Sequence, residues 1–198
     1  MHHPISSLES MPQARWCGGS LDGYAMLDHD LLRQGIPAGA CCWSGSLADE
    51  DEPPLVWLER GWACLKERLA GPGACLIRPR TDHVLSDVPS TKLFLREYSS
   101  ESAGLALGPA SMLTPNMLRD AEDHLSRIFE ALGASARMVL LEDLDETGRA
   151  VPLGEGVLPG SLIGSLIQTH VPEGVAVGGL ADHKNDVCRW LAPAGAVQ

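Results

Sequence analysis

Apolar residues recur at helical spacing in two long segments. Leu55, Leu58, Trp62, Leu65 and Leu69 fall on one face of Pro54–Ala70, and Leu118, Ala121, Leu125, Ile128 and Leu132 on one face of Pro115–Leu132. Each segment opens on proline and is followed by glycine, because proline lacks an N–H that the first turn leaves unbonded and glycine relaxes the last turn. Thr114 supplies an N-cap for the second helix and Gly133 closes it. The run Asp49-Glu50-Asp51-Glu52 precedes the positive end of the first helix, and Lys66 and Arg68 lie near its negative end. A further helix is expected over Leu21–Gln34, capped by Ser20 and ended by Gly35 and Pro37, with Leu21, Tyr24, Leu27 and Leu31 on its inner face. A short closing helix is expected over Asn185–Leu191.

Other apolar runs have the length and residue types of strands. These are Ala74–Arg78, Lys92–Tyr98, Gly104–Leu107 and Val175–Leu180. In Arg137–Leu144 the stretch Met138-Val139-Leu140-Leu141 is apolar on both faces, which places it centrally in a sheet. Glu146-Thr147-Gly148 turns the chain into Arg149–Val157, a hairpin arm interrupted by Pro152. Pro37–Pro54 and Pro79–Ser90 read as loops, and Ser161–Gln168 fits either a helix or a strand. Helices and strands therefore mix without strict alternation, and the hairpin implies antiparallel pairing. The expected fold class is α+β, a mainly antiparallel sheet with helices packed on one face. It forms a single domain over 20–191, with a loosely ordered 1–19 and a C-terminal tail at 192–198.

Composition narrows the functional classes. With 198 residues the chain can bury a full core. Aromatic residues make up only 5%, so that core must be built from Leu, Val, Ile and Ala. The formal charge of −11 argues against binding nucleic acid or an anionic membrane surface, since both need clustered Lys and Arg. No apolar run approaches the length of a membrane span. The six cysteines, Cys17, Cys41, Cys42, Cys64, Cys75 and Cys188, form no Cys-x-x-Cys pair. Met1-His2-His3-Pro4 opens no signal peptide. Together these point to free thiols in a reducing cytoplasm.

The sharpest polar cluster is Asp182-His183-Lys184-Asn185-Asp186, delivered by the apolar run that ends at Leu180. Asp182 beside His183 can fix the imidazole tautomer for general-base work, and Lys184 can neutralise developing charge. The same residues also read as a cap for the closing helix. Cys17, before Gly18-Gly19-Ser20, is a candidate nucleophile, because backbone N–H groups at a helix start lower a thiol pKa. Arg78-Pro79-Arg80 with His83 is the compact basic loop of the chain, and its guanidinium forks suit a carboxylate or a phosphate. Asp143-Leu144-Asp145-Glu146-Thr147-Gly148 opens like a calcium loop, but the twelfth position is Gly154, so an acidic hairpin turn is expected. The histidines and cysteines show no metal-ligand spacing, and no phosphate-binding glycine motif occurs. No metal site and no cofactor is assigned.

The leading functional expectation is a cytoplasmic protein that binds a partner protein or a small-molecule ligand, with no nucleic-acid or membrane partner. Arg78, Arg80, His83 and Lys184 are the candidate binding residues. One alternative is a small-molecule enzyme of acyl-transfer or lyase type using His183 with Asp182, and Cys17. Another is an acidic adaptor that docks on a basic surface. The sequence assigns no oligomeric state.

Overall fold

Runs that are apolar on both sides become strands buried on both sides. Cys75–Arg78, Ala103–Leu107 and Ala176–Gly179 are buried throughout, and Ala136–Leu141 is buried except at Arg137. The computed structural model describes residues 20–21, 24–30, 39–45, 54–69, 75–98, 103–179 and 184–192. Its strands are β1 (Ser20–Leu21), β2 (Tyr24–Asp30), β3 (Ala40–Trp43), β4 (Cys75–Arg78), β5 (Ala103–Leu107), β6 (Ala136–Leu141), β7 (Asp143–Leu144), β8 (Ala150–Val151) and β9 (Ala176–Gly179). Its α-helices are α1 (Pro54–Leu69), α2 (Val88–Tyr98), α3 (Ala121–Leu132), α4 (Gly160–His170) and α5 (Lys184–Leu191).

The large sheet runs β1-β2-β3-β4-β5-β6-β9. β1 pairs with β2 antiparallel, and every later neighbour pairs in parallel. This overturns the expected mainly antiparallel α+β sheet: the fold class is parallel α/β. The one antiparallel hairpin expected from the sequence does form, between β7 and β8, but it stands outside the main sheet. Parallel neighbours need long crossovers, and those from β3 onward carry α1, α2, α3 and α4.

Three misread segments explain the difference. Residues 24–30 form β2 and not a helix, the expected loop 37–54 contains β3, and residues 92–98 belong to α2 and not to a strand. In α2, Leu93-Phe94-Leu95 reads as a strand core, yet a cap decides the matter. Asp87 Oδ1 accepts from the Ser90 N–H at 2.8 Å, and Ser90 Oγ accepts from the Asp87 N–H at 3.2 Å. This reciprocal pair satisfies two donors that a helix start leaves unbonded. Thr91, Phe94, Leu95 and Tyr98 then share one inward face.

Each new parallel strand is added on the same edge of the sheet. Right-handed crossovers then place all the helices on one face. Strand alternation agrees. Cys42, Ile77, Leu105, Leu107, Val139 and Val177 lie on that face, packed against α1 and α2 in one cluster and α3, α4 and α5 in the other. Cys41, Leu76, Ala106, Met138, Leu140 and Ala176 form a separate buried cluster on the opposite face. Both sides of the sheet are thus apolar, and polar side chains collect where the strands end. Among the described residues no helix is long and apolar enough to cross a membrane.

Candidate functional site

The carboxyl ends of β3 to β6 gather a polar cluster on the face opposite the helices, the face of Cys41, Leu76 and Leu140. Trp43, the last residue of β3, is the register partner of Arg78, the last residue of β4. Arg78 shares its face with Leu76, and Glu142, one residue beyond β6, shares its face with Leu140, because side chains alternate along a strand. Arg78 Nη2 donates to Glu142 Oε1 at 2.9 Å, with the two side chains 4% and 16% exposed. The guanidinium carbon lies 3.7 Å from the centroid of the Trp43 ring. Arg78 Nε is buried and has no hydrogen-bond partner among the described residues. An ordinary buried polar group is hydrogen-bonded, so this orphaned donor calls for an explanation.

The loop after β4 wraps this centre. His83 is buried, its Nδ1 accepts from the Gly45 N–H at 3.2 Å, and its ring stands edge-on to Trp43 at 5.7 Å. A neutral imidazole that accepts at Nδ1 carries its proton on Nε2. That nitrogen lies 3.8 Å from Asp82 Oδ1. His83 therefore presents a donor edge, and not a base, toward Asp82. Leu85 N–H donates to Ser44 Oγ, Val84 N–H to the Gly45 carbonyl, and Thr81 N–H to the Ser111 carbonyl. The loop is thus tied to the end of β3 on one side and to the turn after β5 on the other. In that turn Ser111 Oγ lies 2.8 Å from both the Pro79 and Gly108 carbonyl oxygens, which share its single hydroxyl proton. Arg80 is exposed, 5.3 Å from the Trp43 ring centroid, and pairs with Asp82 at 3.1 Å. Such an exposed pair is screened and adds little stability.

Arg78, at the end of β4, and Arg80 and His83, in the loop after it, all lie against the Trp43 ring. Lys184 opens α5. His183, Asp182 and Cys17 lie outside the described residues. Sequence reasoning missed Trp43, Ser111 and Glu142. Trp43 lies in the expected loop 37–54, whose four strand residues are too few to show a period. Glu142 was legible only in retrospect, as the first acidic residue after a strand apolar on both faces.

A second polar feature is structural. Asp143 is fully buried, and its carboxylate accepts from four backbone N–H groups, those of Leu144, Gly154, Gly156 and Leu158, at 2.9–3.1 Å. Asp145 accepts from the Thr147 N–H, the Thr147 hydroxyl and the Arg149 N–H. The Thr147 hydroxyl, followed by the Arg149 N–H, holds its carboxyl below the usual aspartate range. The acidic segment is therefore a hairpin turn, as expected. Among the described residues no cluster of three or more His, Cys, Asp or Glu side chains is arranged to hold a metal ion. Cys75 is buried, and desolvation pushes its thiol pKa up, which suits a packing role and not a nucleophile.

Fold and cluster together define a parallel α/β protein with an arginine-centred polar site at the carboxyl ends of its strands. No protein-family model matches the chain, and no curated protein matches it. Several solved structures overlay on part of it. One is a xylose isomerase-like TIM barrel/4-hydroxyphenylpyruvate dioxygenase fusion protein, at 11% identity and TM-score 0.44, covering 77% of this chain and 26% of that one. D-psicose 3-epimerase, solved in the presence of D-fructose, overlays at 16% identity and TM-score 0.48, covering 80% of this chain and 57% of that one. A xylose isomerase domain protein from Planctomyces limnophilus overlays at 13% identity and TM-score 0.43, covering 76% and 55%. The chain therefore spans between about a quarter and somewhat over half the length of these structures.

Proposed function

We propose that this protein binds a small anionic molecule at the carboxyl ends of β3 to β6, with Arg78 as the recognition residue. The orphaned Arg78 Nε carries this reading. Leaving a buried donor unpaired costs roughly 1–3 kcal/mol, and more on a charged group, and a ligand oxygen on Nε would remove that cost. The setting supports it. In parallel α/β sheets, ligands bind outside the carboxyl ends of the strands, where loops converge. Trp43 covers one face of the guanidinium and favours a charged planar group there.

The ligand is small because the recognising groups are sunk. Arg78 and His83 are 3% and 5% exposed, so a flat protein surface would not reach them. Its chemistry is that of a carboxylate or phosphate, which a guanidinium fork matches in spacing and charge. Arg80, over the same Trp43 ring, stands nearby as a secondary donor.

Arg78→Lys tests this directly. Lysine keeps the positive charge but lacks the planar pair of donors. Calorimetric titration with a panel of small carboxylates and phosphates should show binding to the native chain that weakens about tenfold or more in Arg78→Lys, a difference of about 1.4 kcal/mol. Equal affinities in the two proteins would remove Arg78 from the recognition and end this reading.

A further inference from the structure

Glu142 occupies part of the arginine edge that a ligand would use. A guanidinium offers its side-on donor pair through Nε and Nη2. Glu142 engages Nη2 through a single oxygen, while Nε beside it finds no partner among the described residues. The Trp43 ring against the guanidinium face leaves in-plane approach as the route to these donors. Charge adds a second constraint. Arg78 and Arg80 are each matched by a carboxylate, Glu142 and Asp82. An incoming anion gains net attraction only when one of those carboxylates leaves. The Asp82 pair is exposed and screened, so the Glu142 pair decides. Glu142 is also the more accessible partner of its pair, at 16% against 4% for Arg78, so it is the side chain with room to swing away.

We propose that Glu142 is a built-in competitor for the ligand: its carboxylate holds the Nη2 corner of Arg78, and a planar oxyanion binds by replacing it and taking Nε and Nη2 together. The inference rests on the reading of this cluster as an oxyanion site. The exchange trades one charge-assisted hydrogen bond for two. It also sets the selectivity of the site. A neutral carbonyl group can accept from Nε, but it brings no charge to displace a carboxylate. Chloride brings charge without two oxygens at the spacing of the fork. Carboxylates and phosphates satisfy both demands. Glu142 is in this sense a specificity-determining residue.

The test follows two resonances in the full chain. One is the Arg78 Nε–H signal, assigned by its loss in Arg78→Lys, and the other is the Glu142 side-chain carboxyl carbon. Acetate, inorganic phosphate and chloride are titrated separately into the native protein and into Glu142→Gln. Acetate or phosphate should move both native resonances with one shared midpoint, chloride should move neither, and Glu142→Gln should bind the oxyanion about tenfold more tightly, since a neutral amide competes poorly for the guanidinium. Acetate as the tighter probe points to a carboxylate ligand, and phosphate to a phosphoryl ligand. If the Nε–H signal moves while the Glu142 carbon stays put and Glu142→Gln gains nothing, the competitor idea is overturned and the oxyanion site stands. If neither probe moves Nε–H in either protein, the site reading falls and the competitor falls with it. Circular dichroism reports whether Glu142→Gln folds. Should it not fold, the paired native resonances decide the question.

Discussion

Asp143 and Arg78 are both buried charged residues, and their surroundings separate their roles. The oxygens of Asp143 are saturated by four backbone N–H groups, whereas a donor of Arg78 is left over. The first arrangement builds structure and the second invites a ligand. Asp143→Asn keeps the shape of the side chain but turns an acceptor oxygen into an NH2 group facing N–H donors. Its unfolding free energy should fall by about 2–4 kcal/mol, read from the denaturant midpoint. A loss near zero would mean the loop holds itself without the carboxylate. Asp145 gives a pH signature. Its folded-state pKa is lowered, with the Thr147 hydroxyl as the main cause. The turn is therefore stabilised above the unfolded aspartate pKa, and that contribution is lost as pH falls through the lowered folded value. The Asp145 carboxyl carbon should titrate below the ordinary aspartate range, and in Thr147→Ala its midpoint should move back up.

At the scale of elements, amphipathic helices were the legible part of the sequence. α1 matches its expected span to within a residue at its end, and the expected Pro115–Leu132 helix appears as a 3-10 segment over Pro115–Asp120 followed by α3. Their stripes are long enough for the 3.6-residue period to stand out. The strands β4, β5, β6 and β9 were also found, because each is a short apolar run between turn residues. At 24–30 the helical spacing of Leu21, Tyr24, Leu27 and Leu31 is a coincidence within a strand, and two other failures share a cause: a run of three or four residues carries too few positions to show its period. Ala40–Trp43 and Leu93–Leu95 were assigned by their surroundings and not by their pattern. For α2 the sequence did hold a usable signal, Asp87 three residues before Ser90 with Pro89 in the first turn. α4 was ambiguous because its glycines serve another element. A methyl group at Gly160 would meet the Trp190 carbonyl and indole, and one at Gly164 would lie 2.6 Å from the Leu191 carbonyl oxygen. These two positions, one turn apart, let the α5 backbone approach closely. Gly160→Ala should destabilise the protein by about 1–3 kcal/mol, the usual cost of overpacking, despite alanine's higher helix propensity. A thermal midpoint equal to or above that of the native chain would show that α5 shifts freely instead.

At the scale of the whole molecule, a few misread segments changed the architecture. With β3 recognised as a strand and α2 as a helix, the main-sheet strands from β3 to β9 are joined by helical crossovers, which is the signature of a parallel sheet. The hairpin that suggested antiparallel pairing is real but peripheral. The fold class also decides where polar side chains matter. An antiparallel sheet gives no preferred end, whereas a parallel one brings all its carboxyl ends to one rim. Arg78, Arg80 and His83 were visible as a basic loop, but Trp43 and Glu142 join them only through the register of β3 to β6. The central claim is that this rim holds a small oxyanion on Arg78. A crystal structure of the chain grown with its tightest-binding carboxylate or phosphate tests it most directly. Ligand oxygens should lie within hydrogen-bonding distance of Arg78 Nε and Nη2, beside the Trp43 ring, with the Glu142 carboxylate moved off Nη2. A ligand bound elsewhere on the molecule, with the Arg78–Glu142 pair intact and Nε still unpartnered, would contradict it.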